Sequence, residues 1–87
     1  MKLIWHESAW HDYLEWQATD KKKLKRINQL IRDISRNGYN ATGKPESLSG
    51  NLSGFYSVRI DKKNRIVFRI IDNTVEIAQC KTHYKEH

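Results

Sequence analysis

The stretch from Phe55 to Cys80 constrains this chain more than any other. FYSVRI, RIVFRII and TVEIAQC follow one another with only short breaks. In the first, Tyr56, Val58 and Ile60 share one face, with Phe55, Ser57 and Arg59 on the other. In the second, Ile66, Phe68 and Ile70 point one way and Arg65, Val67 and Arg69 the other. A period of two marks a strand with one buried face. Asp61–Asn64 turns the first hairpin, and Asp72-Asn73 is a two-residue turn signal for the second. Strands joined this tightly pair antiparallel, and their shared apolar face needs a cover.

The first half of the chain supplies that cover. KLIWH (Lys2–His6) reads as a further short strand. The period then changes: Ala9, Trp10, Tyr13, Leu14 and Gln17 fall on one helical face. Asp20 is a good N-cap for a second helix, whose buried stripe is Leu24, Ile27, Leu30, Ile31 and Ile34. Asn37-Gly38 closes it. The fold class is therefore α+β, in the order β-α-α-β-β-β. A small antiparallel sheet carries a two-helix hairpin packed on one face. With 87 residues, positions 1–87 form a single domain. Nothing at the start reads as a signal peptide, and no apolar run approaches membrane-spanning length. These features predict a cytoplasmic protein with no membrane partner.

Between the helices and the strands lies GYNATGKPESLSGNLSG, residues 38–54. It holds all four glycines and the only proline. Its length leaves a functional loop and a plain connector equally open. Charge is uneven along the chain. The net value is +6, and residues 21–43 carry seven cations against one acid, Asp33. Lys21, Lys22, Lys23, Lys25 and Arg26 crowd the start of the second helix, at the positive end of its dipole, where cations are mildly unfavourable. They suit a weak grip on a phosphate backbone without reading bases. A solvated face is the commoner reason for such a run.

Chemistry narrows quickly. One cysteine, Cys80, rules out an intramolecular disulfide and a multi-cysteine metal site. His6 and His11 do not share a helical face, and no acidic pair is poised for magnesium. The expectation is no metal and no cofactor. What remains is Glu46 in the glycine-rich loop, a face of arginines (Arg59, Arg65 and Arg69), and His83 with Tyr84 beyond the last strand. Guanidinium groups bind phosphate bidentately. Pairing of these arginines with Glu76 or Asp61 is the competing explanation. RNA cleavage without a metal needs a base for the 2′-hydroxyl, an acid for the departing 5′-oxygen, and cations for the phosphorane.

The sequence resembles the YoeB/Txe toxins of bacterial toxin–antitoxin modules, within the RelE/ParE superfamily. The resemblance runs from Met1 to Tyr84. It rests on KLIW, WHDYLEWQATDKK, GKPESL, NLSGFYSVRI and the closing KTHY, in family order and spacing. It implies the RelE/YoeB fold, similar to microbial ribonucleases, and a ribosome-dependent, metal-independent mRNA endoribonuclease that cuts codons in the ribosomal A site. It implies Glu46 as general base, Arg65 as transition-state cation and His83 as general acid. Lys44 and Arg59 would hold phosphate, and Tyr84 would orient or stack on the substrate. The implied partners are a YefM/Axe-like antitoxin, the ribosome and its mRNA, and a second copy in a homodimer. The alternative is a non-catalytic inhibitor of the ribosome or gyrase from the same superfamily. The chain departs from the family pattern at Val58, Lys63, Asn64 and Ser49, and in the Lys85–His87 tail.

Overall fold

A computed structural model describes residues 1–81. Its elements are β1 (Lys2–Trp5), α1 (Glu7–Thr19), α2 (Lys21–Asn37), β2 (Glu46–Ser47), β3 (Tyr56–Arg59), β4 (Arg65–Ile71) and β5 (Thr74–Gln79). They build one five-stranded sheet in the order β1-β5-β4-β3-β2. The α+β class and the element order are as the sequence predicts. Two points differ. The sheet is mixed, because β1 runs parallel to β5. The helical hairpin returns the chain to the end it left, and the four strands that follow alternate in direction, so the last runs the same way as β1. The loop also contributes a strand of its own, β2, paired antiparallel with β3.

Local chemistry accounts for the boundaries. Asp20 caps α2: its Oδ1 accepts from the Lys23 amide at 3.1 Å. Such a cap is worth about 1 kcal/mol. Gly38 ends the helix at φ +59°, and a Cβ there would lie 3.4 Å from Ile70 Cδ1. Asp72 and Asn73 both adopt positive φ, as a two-residue hairpin turn requires. The Asp61 carboxylate accepts from the Lys63 and Asn64 amides and from the Asn64 side chain.

The core lies between the helices and one sheet face. Ile27, Leu30, Ile31 and Ile34 of α2 meet Val58, Ile66, Phe68, Val75 and Ile77. The α2 stripe is the one its spacing predicts. The α1 face is not. Ala9 and Trp16 are buried, while Trp10 and Leu14 are more than two-fifths exposed and Gln17 is exposed. The helix is turned so that the small Ala9 and the large Trp16 face inward, and Trp10 instead packs beside Trp5 and Tyr13 at the margin. Val67 is a second correction. It lies on the arginine face yet is fully buried, as is its cross-strand partner Ser57. Val67 sits between Arg65 and Arg69 on its own strand, and long arginine stems cover apolar surface well. Among the described residues, no helix is long and apolar enough to cross a membrane.

Candidate active site

The glycine-rich segment is built rather than slack. Asp33, on α2, holds its near end. One carboxylate oxygen accepts from the Thr42 amide at 2.8 Å, the Thr42 hydroxyl at 2.7 Å and the Gly43 amide at 3.4 Å, and the other from Asn37 Nδ2 at 2.8 Å. The hydrogen bonds from Thr42 and Asn37 hold the Asp33 carboxyl below its ordinary range. A Cβ on Gly43 would come within 3.1 Å of Leu30 Cδ2, so a larger residue would have to push the Leu30 side chain aside for the loop to lie this close to the core. At the far end, the Leu48 amide donates to Phe55 O at 2.9 Å. Glu46 is thereby placed directly opposite Ser57 on β3.

Strand alternation then assembles the face. Ser57 and Arg59 of β3 share it with Arg65, Val67 and Arg69 of β4, and Arg59 stands opposite Arg65. Arg65 Nη1 donates to Ser57 Oγ at 3.1 Å and lies 3.8 Å from Glu46 Oε1. The Arg65 side chain is 20% exposed and that of Glu46 69%. A nearly free carboxylate thus stands at the rim, and a partly sheltered guanidinium stands below it. Lys44, two residues before Glu46, is exposed and held at φ +56°.

Arg69 behaves differently. Its Nε donates to Glu76 Oε1 at 2.8 Å, and its guanidinium lies 4.7 Å above the Phe55 ring. His6 Nε2 reaches Glu76 Oε2 at 2.5 Å. Arg69 and His6 together hold the Glu76 carboxyl below its ordinary value. The pairing of an arginine with Glu76, weighed from the sequence, therefore applies to this one of the three. Asp61 pairs with Lys23 at 3.0 Å. Burial opposes ionisation of Asp61, but hydrogen bonds from Asn64, Lys23 and the turn amides outweigh it and hold its carboxyl far below the carboxylate range.

That last contact ties the basic start of α2 to the β3–β4 turn. Lys23 is engaged there, whereas Lys21, Lys22, Lys25 and Arg26 are exposed. Lys62 and Lys63 are exposed in the same turn, which joins Arg59 to Arg65. One end of the sheet is consequently rich in cations. Asn64, expected from the sequence to be a departure, has a structural use as the side chain that grips Asp61. Val58, another departure, is a core residue.

The end of β5 completes the arrangement. Val67 pairs with Gln79 but Phe68 with Ile77, so Ala78 is an extra residue and the strand is bulged. Before the bulge the odd-numbered Val75 and Ile77 face the core; after it Cys80 does. Gln79 is therefore carried to the arginine face, opposite Val67. The Arg65 amide donates to Lys81 O at 2.8 Å, which continues the same register. His83, Tyr84 and the Lys85–His87 tail lie outside the described residues. Ser57 and Asp33 went unnoticed as site residues in the sequence. The one available signal for Asp33 was a single acid in a strongly basic segment.

Known proteins share this fold and much of this sequence. The family model described as the YoeB-like toxin of bacterial type II toxin–antitoxin systems matches residues 5–84. The chain belongs to this family. Toxin YoeB of Escherichia coli (strain K12) is 51% identical over 84 residues, spanning 97% of this chain and all of that protein. The YoeB/ParE toxin from Agrobacterium tumefaciens superposes with a TM-score of 0.91 at 42% identity, over 97% of this chain and 100% of that one. The toxin fold in the YoeB–YefM complex from Staphylococcus aureus gives a TM-score of 0.88 at 42% identity, over 97% and 98% of the two chains. The YoeB resemblance read from KLIW, GKPESL, NLSG and KTHY is thus borne out.

Proposed function

We propose that this YoeB-family toxin is a ribosome-dependent mRNA endoribonuclease, with Glu46 as base, Arg65 as transition-state cation and His83 as acid. The observation that carries the reading is the opposition of Glu46 and Arg65, 3.8 Å apart over Ser57, on a face otherwise supplied with cations. Glu46 would take the proton from the ribose 2′-hydroxyl, and the 2′-oxygen would attack phosphorus. Arg65 would stabilise the charge on the phosphorane. His83 would protonate the departing 5′-oxygen, leaving a 2′,3′-cyclic phosphate and a free 5′-hydroxyl. Arg59 and Lys44 would hold flanking phosphates, Tyr84 would stack on or orient a base, and the exposed Lys21, Lys22, Lys25 and Arg26 would meet ribosomal RNA.

The partner follows from the same surface. A YefM-like antitoxin carrying an acidic segment would neutralise the arginine face. A second copy would suit β1, an edge strand on which Leu3 and Ile4 are 40% and 55% exposed.

Primer extension on an mRNA translated in a purified system tests the reading. Wild-type protein is expected to give ribosome-dependent cuts at codon spacing. His83→Ala and Glu46→Ala are expected to lose roughly 10²- to 10⁴-fold in cleavage rate while still binding ribosomes. Uncut message with translation still blocked would replace the nuclease by a binding inhibitor built on the same face.

A further inference from the structure

The end of β5 is gripped from the helix side. Ser8, Asp12 and Trp16 are spaced four residues apart and so line one face of α1. Ser8 Oγ donates to Ala78 O, the carbonyl of the bulge residue, at 3.4 Å. Asp12 Oδ2 accepts from the Cys80 amide at 3.4 Å, and Trp16 Nε1 donates to Cys80 O at 2.6 Å. Both backbone groups of Cys80 are thus taken by side chains of one helix. Cys80 itself is fully buried, and Trp16 is 8% exposed. A buried carbonyl and a buried indole N–H each need a partner, and here they satisfy one another. On the other side, Lys81 O receives the Arg65 amide, and the Lys81 ammonium pairs with Glu15 of α1. The backbone between the bulge and the Arg65 contact is therefore fixed from α1 and β4 together.

We propose that Asp12 and Trp16 are positioning residues that lock Cys80, and so set the strand end leading to His83 in register with Arg65. The inference rests on the nuclease reading for its consequence in catalysis, but not for the lock itself. The Arg65 amide donates to the carbonyl of Lys81, the residue after Cys80, so an error in the register of Cys80 is carried to the backbone of Arg65. A displacement of about 1 Å at a reacting group costs up to roughly a hundredfold in rate.

Trp16→Phe keeps an aromatic ring in the core but deletes the N–H donor together with part of the indole's volume. Asp12→Ala removes the second contact, and Asp12→Asn retains an acceptor. Two readouts are taken well below the melting temperature of each variant: mRNA cleavage by the full chain on ribosomes, and amide hydrogen exchange. For Trp16→Phe, kcat is expected to fall about ten- to a hundredfold with KM unchanged. Exchange at the Arg65 amide, whose acceptor is Lys81, is expected to speed up by at least about tenfold relative to the Ile66 amide. Asp12→Ala is expected to change both in the same direction, and Asp12→Asn to restore them. Unchanged kcat and unchanged Arg65 exchange, with only a lower Tm, would overturn the proposal and leave Trp16 as a packing residue. If wild-type protein does not cut, the nuclease reading fails separately, and the exchange rate alone decides whether α1 sets the strand end.

Discussion

Arg65 and Arg69 lie on the same face of the same strand, four residues apart, and the fold uses them oppositely. Arg69 is enclosed by an acid directly across the ladder, an aromatic ring and, through Glu76, the histidine that follows β1. Arg65 stands opposite another cation, Arg59, with a serine hydroxyl and the far side of an exposed carboxylate as its other contacts. Like charges directly across a ladder are destabilising unless something else neutralises them. At Arg69 the protein supplies the neutralising groups itself. At Arg65 and Arg59 the exposed Glu46 carboxylate, 3.8 Å from Arg65, offsets the repulsion in part, and under the proposed function a phosphodiester would relieve the rest. Register decides which arginine is structural and which is available, because it decides what stands opposite.

The sharpest way to break this comparison is to remove each arginine in turn. Arg65→Ala is expected to reduce ribosome-dependent cleavage by about 10²- to 10³-fold, with little change in Tm. Arg69→Ala is expected to keep cleavage within a fewfold of wild type. It should lower stability by about 1–2 kcal/mol, discounted because the Arg69 side chain is more than a third exposed. Cleavage assays and thermal melts on the two variants give the contrast directly. An Arg69→Ala protein that folds normally but no longer cuts would place both arginines in the site.

The same contrast explains what could be read without coordinates. Alternation in FYSVRI and RIVFRII gives the arginine face, because side-chain direction in a strand depends only on parity. The α2 stripe is equally local. Three things are not. The face that α1 buries is set by which neighbours accept Trp16, and spacing alone favoured Trp10 and Leu14 instead. The bulge at Ala78 reverses the parity of β5, and no residue type announces it. The pairing of Glu46 with Arg65 requires β2, a two-residue strand made possible by Asp33 and Gly43 from elsewhere in the chain. GKPESL marks the loop as a family feature, but its placement is tertiary.

A smaller effect sharpens the Arg69 side of the comparison through pH. In the folded chain the Glu76 carboxyl titrates below its ordinary value, chiefly because Arg69 and then His6 hydrogen-bond its charged form. The stabilisation is complete above the pKa of the unfolded carboxyl, about 4.3, and is lost as pH falls through the lower folded value. Glu76→Gln removes the titration. The Tm difference between wild type and Glu76→Gln is therefore expected to be largest near neutrality and to close in acid, below about pH 4. A difference that persists unchanged at pH 3 would mean that packing, not the charged pair, makes Glu76 matter.

The smallest effect probes the other side, where Ser57 is an uncharged hydrogen-bond partner of the Arg65 guanidinium. Ser57 is fully buried, and its hydroxyl accepts from Nη1. If Arg65 is poised for a phosphate, this bond fixes its direction without competing for its charge, as a carboxylate in the same place would. Ser57→Ala removes the acceptor and little volume. Arg65 can still turn toward substrate, so only part of the roughly 1–2 kcal/mol of a hydrogen bond to a charged group is forfeited in the transition state. A fall in kcat of about three- to tenfold with KM unchanged is expected. Ser57→Asp makes the comparison complete: it would give Arg65 the kind of partner that Arg69 has in Glu76. The Asp variant is expected to cut far more slowly than the Ala variant, although it retains an acceptor. Equal rates for the two would show that the freedom of the Arg65 charge is not what the site depends on.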